Sequence, residues 1–416
     1  MRLLDILAGL IGLPVLGVPL LALSALGLRF ETREQIAVGR HARLFRRHLL
    51  RFREGRFASL ANRLNLDRIG DCLSLLAGDL ALVGPRPLAP LDPHALASYR
   101  VAARPGVISP FMVQQWARIA YEPEEAVDFA YVTKRSSLTD LGVLARALVA
   151  RLHGAASSSA LDRIDIDGIP VDNLTLGESV ARIVTYLDEP TPRTVSFVNA
   201  DCINRAARTP EYHRILQSST LVLGDGVGVR LFSRLVGEPI RENVNGTDLF
   251  PRLCEALEGT PHSLYLLGGR PGVAAAVATW IQTRHSECRI AGFHHGYFGP
   301  EQEAEVIEGI RRSGAHLLLV AMGAPGQEVW LKDHLAATGA RVGIGVGGLF
   351  DFFSGRIPRA PQWMREAGLE WVFRLSQEPR RLFWRYGPGN VEFMARALLA
   401  AMRPKAHPSA AVRPVH

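Results

Sequence analysis

The chain has 416 residues, which is too long for one typical hydrophobic core and suggests two or three domains, with two favoured. Its four cysteines stand far apart and none belongs to a C-x-x-C pair, which argues against a zinc site or a disulfide framework and favours a reducing compartment. The net charge of +8 lies mainly in two clusters: residues 29–56 hold nine arginines against three acidic residues, and residues 356–405 hold nine arginines and one lysine against four. Such clusters suit nucleic acid, anionic lipid or a diphosphate group, and charge alone does not choose among them.

The segment 6–28 is 23 residues long and uncharged, above the roughly 18 residues that mark a membrane-helix candidate. A signal peptide has a shorter apolar region and a cleavage motif, so we expect this segment to be retained. The arginines behind it predict, by the positive-inside rule, a protein at the cytoplasmic face of the cell inner membrane, in contact with membrane lipid. Pro14 and Pro19 favour a kink, so a straight span and a helix that turns back into the cytoplasmic leaflet both stay open.

Several short motifs follow this segment. They are Gly78-Asp79, Val83-Gly84-Pro85-Arg86-Pro87, Pro105-Gly106, and Asp128 with Tyr131. With the proline-containing membrane segment they resemble the bacterial sugar transferase family, whose members move a sugar 1-phosphate from a nucleotide sugar onto polyprenyl phosphate. The resemblance implies a membrane-associated, mainly helical domain over residues 1–152.

The catalytic motif of that family is altered in this chain. The family's L-D-E-L-P-Q motif, with an aspartate nucleophile and a neighbouring glutamate, reads Leu66-Asp67-Arg68-Ile69-Gly70-Asp71 here. An arginine beside Asp67 would hold the carboxylate in an ion pair and lower its basicity. We therefore expect a degenerate, inactive site at Asp67, Arg68 and Arg86, where Arg86 either contacts a polyprenyl diphosphate headgroup or is a structural turn residue.

A small polar linker at residues 153–162 precedes a second pattern of alternating strands and helices. Thr175 and Glu178 have the spacing of a capping box at the start of an amphipathic helix. Apolar strand runs follow at 194–198, 220–223, 263–267, 289–293, 316–321 and 341–346. This order predicts an α/β fold with a doubly wound, Rossmann-like sheet.

Polar residues and glycines follow the strand runs, and in a parallel sheet they would share one edge. The stretch LVLGDGVGV at 221–229 has the spacing G-x-G-x-G, not the full dinucleotide pattern G-x-G-x-x-G, so it is a weak nucleotide signal. Asp225 in its middle would repel a phosphate group. The Asp225 carboxylate either caps the next helix or takes part in catalysis.

Eight motifs in order resemble the WecG/TagA/CpsF glycosyltransferase family over about residues 163–400. They read FVNAD, LGDGVGV, NGTDL, LGGRPGV, HHGYFG, MGAPGQEVW, GVGGLFDFFSGRIPRAP and LEWVFRLSQEPRR. The resemblance implies an inverting transfer from a UDP-sugar to a polyprenyl-diphosphate-linked saccharide, with Asp225 as the general base. It also implies a transferase domain at 163–403 with a basic C-terminal appendage, followed by a flexible tail at 404–416.

The resemblance extends to a substrate pocket. Gln327 matches a glutamine that contacts the donor or the developing charge, and Asn199 matches a donor-pocket asparagine, although Phe197 replaces a threonine of several members. Asn243 stands where members often have an arginine, and Asp248 either binds substrate hydroxyls or caps a helix. The predicted pocket is completed by the strand-end glycines Gly226, Gly269 and Gly348.

The C-terminal arginines stand among aromatic residues. Arg374, Arg381 and Arg385 alternate with Trp371, Phe383 and Trp384, a pattern that suits a lipid-linked diphosphate at the membrane interface, with a solvated helix face as the alternative. No recognised nucleic-acid module accompanies them, so we expect no nucleic acid partner. His294 and His295 are adjacent on an extended segment and would point opposite ways. We expect neither a metal nor a cofactor, and a homo-oligomer stays open.

Three functional hypotheses follow. The first is a glycosyltransferase that transfers a hexose or N-acetylhexosamine in surface polysaccharide or exopolysaccharide biosynthesis, anchored by an inert first domain. The second is a bifunctional enzyme in which Asp67 also transfers sugar 1-phosphate to polyprenyl phosphate. The third is a non-catalytic membrane scaffold, which the motifs of the second domain disfavour.

Overall fold

The computed structural model describes residues 2–53, 55, 57–117, 119, 122–154 and 161–402. These residues divide into two compact units, one within Met1–Ala155 with Arg365–Ala367, and one within Ala156–Met364 and Gly368–His416. Most of the predicted linker 153–162 and the predicted tail 404–416 lie outside the described residues.

The first unit is mainly helical, with two small sheets. Its helices are α1 (Arg2–Ala25), α2 (Ala58–Arg63), α3 (Ile69–Ala77), α4 (Ser98–Ala102), α5 (Pro110–Ala117), α6 (Glu124–Thr133) and α7 (Ser137–Gly154). Its strands are β1 (Phe30–Val38), β2 (Leu44–Phe52), β3 (Ala81–Val83) and β4 (Gly106–Ile108). Strands β1 and β2 pair antiparallel from Phe30 opposite Phe52 to Val38 opposite Leu44, while β3 and β4 pair in parallel.

The β1–β2 hairpin is an element that the sequence analysis missed. It lies within the first arginine cluster, where charged residues occupy both faces of β1 and its first five residues are all exposed. An alternation of apolar and polar residues, which would have indicated a half-buried strand, is therefore absent from this stretch.

Helix α1 is long and apolar enough to cross a membrane, and it runs unbroken through Pro14 and Pro19. Both of its ends contact the first unit. Near its start, buried Asp5 pairs with Arg104 at 3.0 Å and accepts a hydrogen bond from the Leu82 amide at 2.8 Å. Near its end, Leu20 and Leu23 pack in a core cluster of the same unit. Between these ends the exposed large side chains are Leu7, Leu10, Ile11, Val15 and Val18.

The second unit is an α/β structure. Its strands are β5 (Arg163–Ile166), β6 (Ile169–Asp172), β7 (Arg193–Val198), β8 (Leu221–Gly224), β9 (Ser263–Gly268), β10 (Arg289–His294), β11 (Leu317–Ala321) and β12 (Val342–Gly345). Its helices up to the last strand are α8 (Leu176–Asp188), α9 (Ala200–Arg208), α10 (Pro210–Ser218), α11 (Val227–Leu235), α12 (Gly246–Leu257), α13 (Val273–Arg284), α14 (Pro300–Ser313) and α15 (Gly326–Thr338). The elements after it are α16 (Leu349–Phe353), α17 (Gln362–Glu366), α18 (Glu370–Gln377), α19 (Pro379–Tyr386) and α20 (Pro388–Met402), and the last two residues of α17 are grouped with the first unit.

The six strands predicted from apolar runs are β7 to β12, and they form one parallel sheet in the order β10-β9-β11-β12-β7-β8. The predicted α/β class with a parallel sheet is therefore confirmed. The predicted capping box is also present, since the Thr175 side chain accepts from the Glu178 amide and Glu178 returns a bond to the Thr175 amide. Strands β12 and β7 are neighbours in the sheet but far apart in sequence, and such a junction leaves a crevice at the carboxyl ends of the strands.

Candidate functional site

A cavity of about 230 Å³ opens at the carboxyl ends of β7, β8, β11 and β12 in the second unit. Its polar lining includes two aspartates and four arginines, namely Asp201, Asp225, Arg205, Arg374, Arg381 and Arg385. Phe197 and Phe352 form an apolar part of the wall, and the glycine-rich turns after β11 and β12 form another part. We call this cavity the carboxyl-edge cleft.

Asp225 lines this cleft, and backbone hydrogen bonds fix the turn that carries it. Its amide donates to the Val198 carbonyl oxygen of the neighbouring strand at 2.8 Å. The next residue, Gly226, has φ +92°, which a side chain would strain. The Gly226 amide donates to the Asn243 side-chain oxygen at 2.6 Å. Helix α11 begins after Gly226 without a side-chain cap, so the structure does not support the capping role for Asp225.

The electrostatic surroundings of Asp225 suit a carboxyl group that exchanges protons near neutrality. Burial raises the pKa of Asp225 to about 6, and the negative charge of Glu370 acts in the same direction. Arg374, Arg385 and a hydrogen bond from Asn199 oppose that rise in pKa. The carboxylate is thus poorly solvated but faces two cations, an arrangement found at catalytic sites.

The Asn199 side chain makes hydrogen bonds to two parts of the cleft. Its side-chain oxygen caps α9 by accepting from the amides of Asp201 at 3.1 Å and Cys202 at 3.2 Å. Its side chain also hydrogen-bonds Asp225. Asn199 also lines the cleft and helps to fix Asp225.

Gln327 also lines the cleft, but its side chain is buried and already bonded. Its oxygen accepts from the Gly347 amide at 2.9 Å and the Gly323 amide at 3.2 Å, and its nitrogen donates to Glu328 at 2.7 Å. A Cβ on Gly345 would lie 2.8 Å from the Gln327 nitrogen, so the glycine leaves room for it. Gln327 thus ties together the two glycine turns, and the structure favours this role over the predicted direct contact to the donor.

The other predicted pocket residues differ in position. Gly348 lines the cleft, and a Cβ there would meet the Arg374 guanidinium at 3.0 Å. Gly226, Asn243, Asp248 and Gly269 are not among the lining residues. Asn243 supports the turn after Asp225. Asp248 is buried, bonded by the Asn245 side chain and paired with Arg359, which favours a structural role over substrate binding.

The three predicted diphosphate-binding arginines meet Asp225 at one cleft because the C-terminal helices fold back onto the sheet domain. Phe393 of α20 is buried against Phe232 with ring centroids 5.6 Å apart. The Asn204 side chain of α9 donates to the Gly389 carbonyl oxygen at 2.7 Å. This packing holds α18 and α19, and with them the arginines, beside the ends of β7 and β8.

Sequence reasoning placed Asp201, in the FVNAD motif, at the strand edge but not among the substrate residues, and it missed Arg205. They stand four residues apart on α9, and their side chains pair at 2.9 Å. The signal in the sequence was their i, i+4 spacing directly after a strand end. That spacing is common on solvated helices, and so it did not stand out.

The candidate site of the first unit has different neighbours from those predicted. Arg68 donates to the Val107 carbonyl oxygen at 3.3 Å, and no ion pair with Asp67 is present among the described residues, which corrects the expected pair, although the charge of Asp67 still raises the pKa of Arg68. Burial and the charge of Arg47 lower the pKa of Arg68. The buried ion pair of this region joins Arg47 and Asp71, with two contacts at 2.6 and 2.7 Å.

Arg86 belongs to a network of ion pairs in the first unit. It contacts both oxygens of Glu124, at 3.0 and 2.7 Å. Arg100 pairs with Glu124 at 3.1 Å and with Asp128 at 2.5 Å, and burial raises the pKa of Asp128 to about 7. Because two nitrogens of the Arg86 guanidinium are already bonded to Glu124, the structure favours a structural role for Arg86 over contact with a diphosphate.

The two adjacent histidines do not point opposite ways. Strand β10 ends at His294, and the rings of His294 and His295 lie 4.4 Å apart between centroids. The expectation rested on extended geometry, which stops at the strand end. Among the described residues, no group of three or more His, Cys, Asp and Glu side chains could hold a metal ion.

Comparison with known proteins matches both parts of the chain. The glycosyl transferase WecG/TagA/CpsF family matches residues 164–407, and the bacterial sugar transferase family matches residues 1–154. An N-acetylglucosaminyldiphosphoundecaprenol N-acetyl-beta-D-mannosaminyltransferase of Bacillus subtilis (strain 168) is 32% identical over 196 residues, which cover 47% of this chain and 76% of the relative. The protein of the same description from Bacillus spizizenii is 31% identical over 201 residues, covering 48% and 77%. Both resemblances seen in the sequence are confirmed.

Proposed function

Because the chain belongs to the WecG/TagA/CpsF family of glycosyl transferases and is itself a glycosyltransferase, we propose that its second unit transfers a sugar from a UDP-sugar to a polyprenyl-diphosphate-linked saccharide. The observation that carries this proposal is the carboxyl-edge cleft, where Asp225 and three C-terminal arginines share one cavity. The names of the Bacillus relatives specify transfer of N-acetylmannosamine to a diphosphoundecaprenol-linked N-acetylglucosamine. They support an N-acetylhexosamine donor within the broader hexose class.

Asp225 acts as the general base of an inverting transfer. The acceptor hydroxyl oxygen attacks the anomeric carbon while the bond from that carbon to the UDP oxygen breaks on the opposite face. The hydroxyl proton passes to the Asp225 carboxylate, and UDP leaves with the electron pair. A pKa of about 6 leaves Asp225 ionised at neutral pH and still basic enough to accept the proton.

Arg374, Arg381 and Arg385 hold the lipid-linked diphosphate of the acceptor. Guanidinium groups bind phosphate oxygens through paired hydrogen bonds. Once an anion neutralises Arg374 and Arg385, these cations lower the pKa of Asp225 less than before. Binding of the acceptor therefore makes Asp225 a stronger base when the hydroxyl is in place.

The first unit keeps the enzyme at the cytoplasmic face of the inner membrane, where a polyprenyl-linked acceptor resides. Helix α1 supplies an apolar exposed surface, and the arginines of the β1–β2 hairpin attract anionic headgroups. We further propose that Asp67 does not transfer sugar 1-phosphate.

The test is turnover of the full chain in detergent with a UDP-sugar and a polyprenyl-diphosphate monosaccharide. Asp225→Asn should abolish release of UDP and leave binding of the UDP-sugar measurable. Asp333→Asn, the same change at an exposed carboxylate of α15, is the matched control and should retain full turnover. Full turnover by Asp225→Asn would refute the proposed base.

The same variant separates the enzyme from a non-catalytic scaffold. In a strain that lacks the chromosomal copy, Asp225→Asn should fail to restore the polysaccharide, provided that the variant accumulates to the wild-type level. Restoration by that variant would favour the scaffold hypothesis instead.

A further inference from the structure

Asp201 lies between two arginines at the wall of the carboxyl-edge cleft. One oxygen of its carboxylate is 2.9 Å from the Arg205 Nε atom and 3.4 Å from the Arg385 Nε atom. Arg205 is on α9 with Asp201, whereas Arg385 comes from α19. All three residues line the cleft, so this carboxylate joins the sheet domain to the C-terminal helices at the site itself.

The Asp201 carboxylate is placed to orient the two guanidinium groups beside it. Among the described residues, the buried Nε atom of Arg385 has no hydrogen-bond partner, and Asp201 is the carboxylate that it faces. Both arginines direct Nε toward Asp201, so neither contact with this carboxylate uses a terminal guanidinium nitrogen. Two guanidinium groups side by side repel each other, and a shared carboxylate offsets that repulsion.

The charges of the cleft fit an anion with two phosphate groups. Four arginines line it against two aspartates. In the proposed reaction Asp225 accepts the proton of the acceptor hydroxyl. Asp201 contacts Arg205 and Arg385. A carboxylate would repel a diphosphate, so any contribution of Asp201 to diphosphate binding must pass through the arginines.

We propose that Asp201 is a positioning residue that holds Arg205 and Arg385 in one diphosphate-binding pair, which makes Arg205 a fourth arginine of the acceptor site. This inference rests on the proposed function and names two further residues of the same site. Stabilisation of the fold is a weak alternative for the Asp201–Arg205 pair, because exposed i, i+4 pairs contribute little to helix stability. The Arg205 side chain is 46% exposed, in agreement with a group that reaches into open space.

The experiment measures kcat, the KM for a polyprenyl-diphosphate monosaccharide, and the affinity for inorganic pyrophosphate by calorimetry, all on the full chain in detergent. Asp201→Asn and Arg205→Ala should each raise KM and the pyrophosphate Kd by about tenfold, the effect of losing one charge-assisted hydrogen bond, with kcat within about twofold. Arg205→Lys keeps the charge but lacks the planar fork, so it should restore only part of the affinity.

The double variant Asp201→Asn with Arg205→Ala tests whether the two residues act as one group. Its effect on KM should be smaller than the product of the single effects, since Asp201 acts partly through Arg205. The control is Glu255→Gln, which breaks an exposed pair with Arg252 at the same 2.9 Å distance outside the cleft, and it should leave all three quantities unchanged.

Unchanged KM and pyrophosphate affinity in both single variants would overturn the inference. A fall in kcat with unchanged KM would also overturn it, because it would place Asp201 in the chemical step. Arg205→Ala keeps the test decisive if Asp201→Asn does not fold. Failure of this inference is distinguishable from failure of the proposed function, which is decided by turnover of Asp225→Asn.

Discussion

The two units use arginine in different ways. In the first unit, Arg47 is buried against Asp71, and Arg86 and Arg100 share Glu124. In the second unit, arginines face an open cleft, and Arg374 lies over the Phe352 ring with its guanidinium carbon 5.1 Å from the centroid. The difference lies in the surroundings of the cations rather than in their number.

The comparison separates arginines that are bonded within an ion-pair network from arginines that line an open cavity. A guanidinium whose nitrogens are bonded to a carboxylate would have to give up that partner before it bound a phosphate. In the cleft, Arg205 and Arg385 contact Asp201 only through Nε, and these arginines line an open cavity that a phosphate group can enter. Sequence motifs retained from a sugar transferase therefore do not show that its anion site is retained, whereas the carboxyl-edge cleft has both the space and the cations.

The largest effect is expected when Asp225, the proposed general base of the second unit, is replaced. Asp225→Asn should lower kcat by as much as about 10⁴-fold, the upper range for a positioned general base. Asp67→Asn in the first unit should leave release of UDP unchanged. Steady-state measurement of UDP for both variants checks the prediction, and loss of UDP release in Asp67→Asn would contradict it.

The second prediction concerns the buried pair of the first unit. Asp71→Asn leaves the Arg47 charge buried without its carboxylate, which should destabilise the local structure by roughly 3–5 kcal/mol. Hydrogen exchange should show lost protection in β2 and α3, which carry the two residues, while the sheet of the second unit keeps its protection. Equal protection in wild type and variant would show that this pair does not stabilise the unit.

The third prediction concerns the arginines of the cleft. Arg385→Ala should raise the KM for the lipid-linked acceptor by about tenfold to a hundredfold, since it removes a charge-assisted contact, with a smaller change in kcat. Arg86→Ala is the corresponding change in the first unit and should leave KM unchanged. A rise in KM for Arg86→Ala alone would reverse the assignment of the diphosphate site.

The smallest expected effect is a shift in pH dependence. Asp225 must be ionised to accept a proton, so kcat/KM should fall below about pH 6, the pKa of Asp225. Removing the charge of Glu370 in Glu370→Gln should move this limb to lower pH, because that charge raises the pKa of Asp225. Removing the cation in Arg374→Gln should move it to higher pH. Profiles of the two variants that shift in the same direction would contradict the assignment.

Much of the second unit could be predicted from its sequence. The buried parallel strands are continuous apolar runs, and polar residues at their ends must share one edge. Asp225 was placed at this edge in that way, whereas its role as general base came from the resemblance to the WecG/TagA/CpsF family, and the C-terminal arginines were identified from their alternation with aromatic residues. Their convergence in one cavity was not predicted, because it depends on the packing of α20 through Phe393 and Asn204, which no local pattern encodes.

Contacts between side chains far apart in sequence could not be predicted. Asp248 is bonded to Arg359, which is 111 residues away, and Asn243 supports the turn after Asp225. The β1–β2 hairpin was missed because its charged residues lack the alternation of a half-buried strand. Among the residues that the structure describes, no ion pair joins Asp67 to Arg68, and Arg68 donates to the Val107 carbonyl oxygen, which is distant in sequence.

The most direct measurement incubates the full chain in detergent with a panel of UDP-sugars, once with polyprenyl phosphate and once with a polyprenyl-diphosphate monosaccharide, and assays UMP and UDP separately. We predict release of UDP only with the second acceptor, lost in Asp225→Asn and retained in Asp67→Asn. Release of UMP with polyprenyl phosphate, lost in Asp67→Asn, would contradict the account and show that the first unit is catalytic.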